Sequence, residues 1–253
     1  MRPAELEKMF LLEDSYWWYV ARRELAVLLI ERFLSRPRGI SRRTSSVRIL
    51  DVGCGTGGML KELAAFGLAI GLDRAPEALA RCRRRSGAPL VRGAAEGLPF
   101  PAGSFDLVTA LDLLEHLDDD EAGLREIARV LRPGGLAVLT VPACPLLWSE
   151  HDEALDHRRR YLARPLRRLL ARAGLRVEFL SYAILQLFPV ILAFRLLQRC
   201  LRGDRRRPKT ALIALPPLLN RLLIYLLRLE SWLLLRFPLP LGVSLVAVAR
   251  WPG

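Results

Sequence analysis

The chain has 253 residues, of which 52% are hydrophobic, and its formal net charge is +13 at pH 7. This length suits one α/β domain with additions. The four cysteines have neither metal-ligand spacing nor a disulfide framework, and the first ten residues are too polar for a signal peptide. We therefore expect a protein of the reducing cytoplasm.

Residues 4–34 are predicted to be helical, with one break. Four adjacent aromatic residues at 16–19, Tyr-Trp-Trp-Tyr, cannot all face one core, because neighbours on a helix lie about 100° apart. We expect them either to wall a substrate site as part of a lid or to pack the helix onto a sheet. A linker with a basic run follows at 35–46.

Residues 47–73 predict a strand, a glycine turn, a helix and a second strand. The apolar run 47–52 indicates a buried strand, and the turn after it carries Gly53, Gly55 and Gly57. Glycine has no Cβ, so a ligand can lie against the backbone there. Asp73 ends the second strand about 20 residues later, where an acid can reach both hydroxyls of a ribose. The unit therefore predicts a nucleoside site.

Four motifs in order identify the type of nucleoside site. DVGCGTG at 51–57, with LD at 72–73, resembles the class I S-adenosylmethionine (SAM) methyltransferases. LPFPAGSFDLV at 98–108, LLEH at 113–116 and LRPGGLAVLTVP at 131–142 support this resemblance, whereas a nicotinamide enzyme explains none of them. The resemblance implies an α/β, Rossmann-like class I methyltransferase fold. Its sheet is seven-stranded and mostly parallel, and its cofactor is SAM.

The resemblance also assigns residues to the cofactor. Where the family often carries an Asp that binds the adenine amino group, the resemblance aligns Ala94 of this chain, which leaves the backbone N–H of Ala95 for the ring. The residues expected to bind SAM are Asp51, Gly53, Cys54, Gly55, Gly57, Asp73, Arg74, Ala94, Ala95 and Leu111.

The chemistry is predicted after the fourth strand, at 105–111, because ligands lie outside the carboxyl ends of parallel strands. His116 is the candidate general base, with Glu115 beside it. We assign no metal. As an alternative, Asp112-x-x-Glu115-His116 resembles the pattern by which ubiquinone-type O-methyltransferases hold a divalent metal. The loop at 148–161 offers a second candidate cluster, which either contacts substrate or is only a hydrogen-bonded loop: His151, Asp152, His157 and Tyr161.

Other core elements are predicted as helices at 76–85, 121–131 and 164–172 and strands at 90–92, 136–141, 175–182 and 243–249. In the family the last two strands pair antiparallel and are close in sequence. Here roughly 60 residues separate them. The expected division is a helical lid and linker (1–46), a SAM-binding core (47–182), a helical insertion (183–240) and a last core strand (241–253).

The insertion is hydrophobic and basic. It carries ten basic and two acidic residues, including a patch at Arg205, Arg206, Arg207 and Lys209. Its longest uncharged run is shorter than the ~20 residues that span a bilayer. Leucine-rich helices with Arg, Trp and Tyr favour the plane of the membrane interface. A helical cap on the substrate site or a dimer contact stays open.

The sequence therefore predicts a SAM-dependent methyltransferase that acts on a small, lipid-like or membrane-associated acceptor. The protein is expected in the cytoplasm, at the inner face of a membrane if the insertion binds lipid. An RNA methyltransferase is one alternative, although nucleic acid is not the expected partner, because aromatic residues are scarce among the arginines at 158–172. A non-catalytic membrane-associated protein that retains the fold is another. The acceptor atom and the oligomeric state do not follow from the sequence.

Overall fold

The computed structural model describes residues 3–34, 47–201 and 215–253. The linker at 35–46 and the basic patch at 205–209 lie outside the described residues. The helices are α1 (Pro3–Leu12), α2 (Trp17–Leu34), α3 (Gly58–Leu63), α4 (Pro76–Arg85), α5 (Asp120–Val130), α6 (Glu150–Ala154), α7 (Ala163–Arg172), α8 (Phe188–Leu201) and α9 (Pro217–Leu234). The strands are β1 (Arg48–Val52), β2 (Leu68–Asp73), β3 (Leu90–Arg92), β4 (Phe105–Leu111), β5 (Leu131–Pro142), β6 (Arg176–Ala183) and β7 (Ser244–Arg250).

The described strands form one seven-stranded sheet in the order β3-β2-β1-β4-β5-β7-β6. The pairs among β1 to β5 are parallel, and β7 runs antiparallel to both β5 and β6. The predicted fold class is therefore confirmed. The order reverses beside β1, which is where open α/β sheets bind ligands.

Helices cover both faces of the sheet, because successive side chains of a strand point to opposite faces. Ile49 and Leu107 belong to one buried cluster with residues of α2, α3, α4 and α9. Leu50 and Val108 belong to the other, with residues of α5 and α7. The sheet is thus buried on both sides, as expected for apolar parallel strands.

One boundary was predicted wrongly. The helix α5 ends at Val130 and β5 begins at Leu131, five residues before the predicted strand start. Leu131 pairs with Phe105, and the register then shifts before Leu107 pairs with Leu136. Pairing continues across the Pro-Gly-Gly sequence because the irregularity absorbs the extra residues.

The insertion is tied to the core by α9. The buried carboxylate of Glu230 accepts the backbone N–H groups of Ile184, Leu185 and Gln186, which follow β6. At the exposed side, Arg228 pairs with Glu24 of α2. Pro189 occupies the first turn of α8, where proline is tolerated. Among the helices that the structure describes, none has the length and apolar character needed to cross a membrane.

Candidate active site

A cavity of about 620 Å³ lies at the carboxyl ends of β1, β2 and β4. Residues of α1, α2, the loop 143–161 and the insertion also line it. We call the part at Asp51, the glycine turn and Asp73 the cofactor half. We call the part at Glu115, His116, His151 and His157 the acceptor half.

The glycine turn of the cofactor half requires glycine for its shape. Gly53 and Gly55 have φ of +73° and +52°, values that favour glycine. A Cβ on Gly53 would lie 2.8 Å from Cδ1 of Leu113. The N–H groups of both glycines donate within the protein, to the carbonyl of Leu72 and to Asp73. The turn therefore supplies an open surface at these positions rather than free donors.

Asp73 and Asp51 are the acidic groups of the cofactor half. The two carboxylate oxygens of Asp73 accept the N–H groups of Gly55 and Ala75 at 2.9 and 2.8 Å. Each oxygen keeps a further lone pair, so the carboxylate can still accept from a ligand. Asp51 is buried and accepts the hydroxyl of Thr109 at 2.7 Å, and burial raises its pKa to about 7.

Most of the residues assigned to the cofactor line the cavity. Cys54 is a buried thiol there, and its contact with Cys82, together with burial, raises its pKa. Gly57 and Ala94 are not among the lining residues: a Cβ on Gly57 would meet Sγ of Cys82, and Ala94 is exposed. The assigned residues that line the cavity are Asp51, Gly53, Cys54, Gly55, Asp73, Arg74, Ala95 and Leu111.

The N-terminal helices lie over both halves. All four aromatic residues at 16–19 line the cavity. The buried carboxylate of Glu13, between α1 and α2, accepts bonds from Thr56 of the glycine turn and from Arg85. Arg22 of α2 pairs with Asp112 at the end of β4, which also accepts the hydroxyl of Thr140 at 2.8 Å. These contacts hold the helices against the sheet on both sides of the cavity.

All three histidines of the chain line the acceptor half. The rings of His116 and His157 stack edge to face with centroids 4.8 Å apart. Burial, assisted by His157, lowers the pKa of His116 to about 4, and burial lowers that of His151 to about 4. Both imidazoles are therefore neutral at pH 7 and can accept a hydrogen bond or a proton.

The loop cluster predicted at 151–161 forms in part. Nδ1 of His157 lies 3.0 Å from Oδ1 of Asp152, whose carboxylate also accepts two bonds from Arg160. The bond to Asp152 fixes the His157 ring, with Nε2 4.0 Å from Glu115. Tyr161 is not part of this hydrogen-bonded cluster, because its hydroxyl donates to Asp120 at 2.8 Å.

Glu115 is the unusual group of the acceptor half. Its side chain is fully buried, and neither carboxylate oxygen has a hydrogen-bond partner among the described residues. Burial, together with Asp112, raises its pKa well above the usual range. Oxygen and nitrogen ligand atoms of Glu115, His116 and His157 lie within 4.8 Å of one another and could hold a metal ion. Asp112 is not part of this group. The possible metal ligands therefore differ from those suggested by the sequence in one residue, with His157 in place of Asp112.

Apolar residues of the insertion also line the cavity, among them Leu187, Ile191 and Leu223. Two arginines, Arg160 and Arg195, line it as well. Val190 and Phe194 line the cavity and are also 68% and 51% exposed, so they stand at its mouth.

Sequence reasoning missed Glu13 and Arg22. It left open that the insertion caps the substrate site but named none of its residues that line the cavity. For Glu13, a charged residue between two helices was a weak signal of a role at the site. Nothing local indicated that Arg22 would meet Asp112, since the two are 90 residues apart.

Residues 50–139 match the family model described as a methyltransferase domain. A demethylmenaquinone methyltransferase of Thermus thermophilus is 39% identical over 123 residues, which cover 45% of this chain and 56% of that protein. A chloroplastic 2-methyl-6-phytyl-1,4-hydroquinone methyltransferase 2 of Oryza sativa is 35% identical over 109 residues, 40% of this chain and 31% of that protein. The chain thus spans about a third to somewhat over half of the length of these relatives.

The fold has solved counterparts. A SAM-dependent methyltransferase of Thermotoga maritima superposes with a TM-score of 0.60 at 17% identity, covering 99% of this chain and 95% of that one. At this identity the likeness concerns the fold. Together with the domain match, it confirms the recognition made from the four motifs.

Proposed function

Since residues 50–139 match the methyltransferase domain model and the sheet has the fold of class I methyltransferases, we propose that the chain transfers the methyl group of SAM to a small, lipid-like acceptor of the hydroquinone type. The observation that carries the proposal is one cavity with two unlike halves. One half presents Asp73 beside a glycine turn, and the other presents neutral imidazoles together with apolar side chains of the insertion.

The cofactor half suits SAM. The carboxylate of Asp73 ends β2 with unused lone pairs facing the cavity, so it can accept both ribose hydroxyls. The turn at Gly53 and Gly55 leaves room beside it that a Cβ would narrow. When bound, SAM supplies an electrophilic methyl group that is displaced in line by the acceptor, so orientation lowers much of the barrier.

The acceptor half suits a hydroxylated ring with an apolar substituent. As the methyl group moves to an oxygen or a ring carbon, the acceptor loses a proton. We assign that proton to the neutral ring of His116, which has a ring nitrogen within 4.8 Å of a carboxylate oxygen of Glu115. Trp17, Trp18 and Ile191 would contact the apolar part. The two relatives described above are named for a demethylmenaquinone and for a phytyl hydroquinone.

The experiment is methyl transfer from labelled SAM to reduced demethylmenaquinone and demethylubiquinone analogues with short side chains. We expect label in the organic extract and the matching amount of S-adenosylhomocysteine. His116→Ala should remove the product while binding S-adenosylhomocysteine like the wild-type protein. Tight cofactor binding with no transfer to any of these quinols would contradict the acceptor class and favour a non-catalytic protein that retains the fold.

A metal-assisted form of the same reaction is favoured by one observation, the unpartnered carboxylate of Glu115 beside two imidazoles. A divalent ion held by Glu115, His116 and His157 would orient two neighbouring oxygens of an acceptor. Chelator treatment followed by restoration with Mg²⁺ or Zn²⁺ tests it. If turnover is unchanged in the presence of a chelator, the reaction uses no metal and relies on proton transfer to His116.

The RNA alternative has little support in the arrangement of the arginines. Three of them pair with carboxylates on the protein surface and are partly neutralised there: Arg158 with Asp118, Arg159 with Asp120, and Arg172 with Glu121. A steep salt dependence of RNA binding would revive this alternative.

A lipid-like acceptor resides in a bilayer. We therefore also propose that the protein works in the cytoplasm, peripherally at the inner face of a membrane.

A further inference from the structure

The exposed apolar side chains are concentrated on the insertion. Four large ones lie elsewhere in the described part of the chain, at Leu11, Leu68, Leu146 and Leu162, and the others lie between 190 and 241. On α9, Leu218, Leu222, Tyr225, Leu229 and Trp232 follow one another at helical spacing and are exposed. Such a contiguous patch on a protein surface marks an interaction site.

A matching stripe runs along α8. Val190, Phe194 and Leu197 are spaced by four and three residues, so they share one helix face, and all three are exposed. Val190 and Phe194 also line the cavity. The mouth of the cavity therefore opens among exposed apolar side chains of the insertion. We call the exposed apolar residues of α8 and α9, together with Phe237 and Leu241, the apolar face.

Basic side chains predominate around the apolar face, and the acid Glu24 of α2 pairs there with Arg228 of α9. The acidic side chain in the described part of 188–241 is Glu230, and it is buried against the backbone of 184–186. Arg221 and Arg236 are exposed, and the guanidinium of Arg236 lies 3.7 Å from the ring centroid of Trp232. Leucine and tryptophan with arginine beside them fit the headgroup region of an anionic bilayer, where both kinds of group find partners.

The size of the cavity indicates where the acceptor's chain can lie. A pocket for a single ligand commonly measures about 300–1,000 Å³, and this cavity of about 620 Å³ must hold the cofactor as well as the acceptor. The long hydrocarbon chain of a lipid-like acceptor can leave the cavity between Val190 and Phe194, onto the apolar face.

We propose that the apolar face docks on an anionic lipid leaflet with the mouth of the cavity turned toward the bilayer, so that the acceptor enters ring first and its hydrocarbon chain stays in the lipid. This inference rests on the proposed function only for the identity of the acceptor. The docking itself is independent of catalysis and is measured without cofactor or acceptor.

The test is co-sedimentation of the full chain with vesicles of phosphatidylcholine containing 30% phosphatidylglycerol, at low salt. The double variant Leu222→Asp with Trp232→Asp should lower the partition coefficient at least tenfold. Both side chains lie outside the cavity lining, so binding of S-adenosylhomocysteine should be unchanged. Leu162→Asp, on an exposed leucine of the segment before α7, is the matched control and should bind vesicles like the wild-type protein. Arg221→Gln should weaken binding to anionic vesicles about fivefold and leave neutral vesicles unaffected.

A methylation assay is the second part of the test. In the double variant, methylation of a long-chain quinol embedded in vesicles should fall in parallel with vesicle binding, while a soluble short-chain analogue is methylated at the wild-type rate. Wild-type protein that ignores the anionic vesicles would overturn the proposal. If the wild-type protein is instead a dimer and the double variant is a monomer, the apolar face is an interface between copies of this chain. Vesicle binding without any methyl transfer would contradict the proposed function and leave the docking intact.

Discussion

The acidic groups in the cofactor half and in the acceptor half of the cavity differ in whether they have hydrogen-bond partners within the protein. In the cofactor half, Asp51 and Asp73 accept hydrogen bonds from Thr109 and from the backbone of Gly55 and Ala75. In the acceptor half, Glu115 is fully buried with no partner among the described residues, and the indole N–H of Trp17 is unpartnered as well.

This difference distinguishes the cofactor half, which takes the nucleoside, from the acceptor half, which would select the acceptor. Buried polar groups without partners cost about 1–3 kcal/mol each, so they persist where a ligand can offset the cost. In the cofactor half each acid has a partner within the protein, and Asp73 keeps lone pairs with which to accept from a ligand. The acceptor half has hydrogen-bonding capacity left over, and that capacity would select which acceptor is methylated.

The largest expected effect concerns the buried acid of the cofactor half. Burial raises the pKa of Asp51 from 3.8 to about 7, so the native state holds a proton that the unfolded chain has lost between these values. The free energy of unfolding should therefore fall as pH rises from 4 to 7, by roughly 4 kcal/mol from this group.

Asp51→Asn should lack that part of the pH dependence, because its amide does not titrate. Urea unfolding of both proteins at pH 4.5 and 7.5, without cofactor, measures it. Equal slopes against pH in the two proteins would show that Asp51 is not desolvated.

The next effect is on the rate. His116→Ala should lower kcat about a hundredfold or more, since general bases contribute about 10²–10⁴. The affinity for S-adenosylhomocysteine should not change, because the acceptor half does not hold the nucleoside. His151→Ala is the control within the same half and should lose much less. Equal losses in the two variants would assign the effect to the shape of the cavity rather than to a base.

A smaller effect is expected on cofactor affinity. Asp73→Ala should weaken binding of S-adenosylhomocysteine at least tenfold, because each charge-assisted bond to the ribose contributes roughly 1.5–3 kcal/mol. Calorimetry checks it, with Asp118→Ala, an exposed acid outside the cavity lining, as control. Affinity within a factor of two of wild type would remove Asp73 from the cofactor site.

The smallest effect is an expected absence of titration. Burial holds the pKa values of His116 and His151 at about 4, against an ordinary value of 6.5. Their ring signals in NMR spectra should therefore not move between pH 6 and 8, with the two alanine variants providing the assignment. A transition near pH 6.5 for His116 would mean that water reaches its ring freely.

Local sequence predicted the fold well, and most of the residues that it assigned to the cofactor line the cavity. The glycine turn and Asp73 lie within one strand–turn–helix–strand unit, and nearly every element of the core falls within a few residues of its predicted bounds. Gly57 and Ala94 were assigned by the same motifs but lie outside the cavity lining. At Gly57 the missing side chain makes room for Cys82, which a motif cannot distinguish from room for a ligand.

The acceptor half could not be predicted because its members are far apart in sequence. His157 is 41 residues from His116, and the wall at Leu187 and Ile191 belongs to an insertion that the motifs do not cover. Their meeting depends on contacts such as Glu230 with the 184–186 backbone and Arg228 with Glu24. Periodicity identified these helices as amphipathic but did not determine which face would line a cavity.

The central claim is that the cavity divides into a half for SAM and a half for the acceptor, and a crystal structure with S-adenosylhomocysteine tests it most directly. We expect both ribose hydroxyls on the carboxylate of Asp73. The sulfur should face His116, with open space remaining between it, Trp17 and Ile191. A ligand that fills the space beside Glu115 and His116, or one that leaves Asp73 without a ribose contact, would contradict the division.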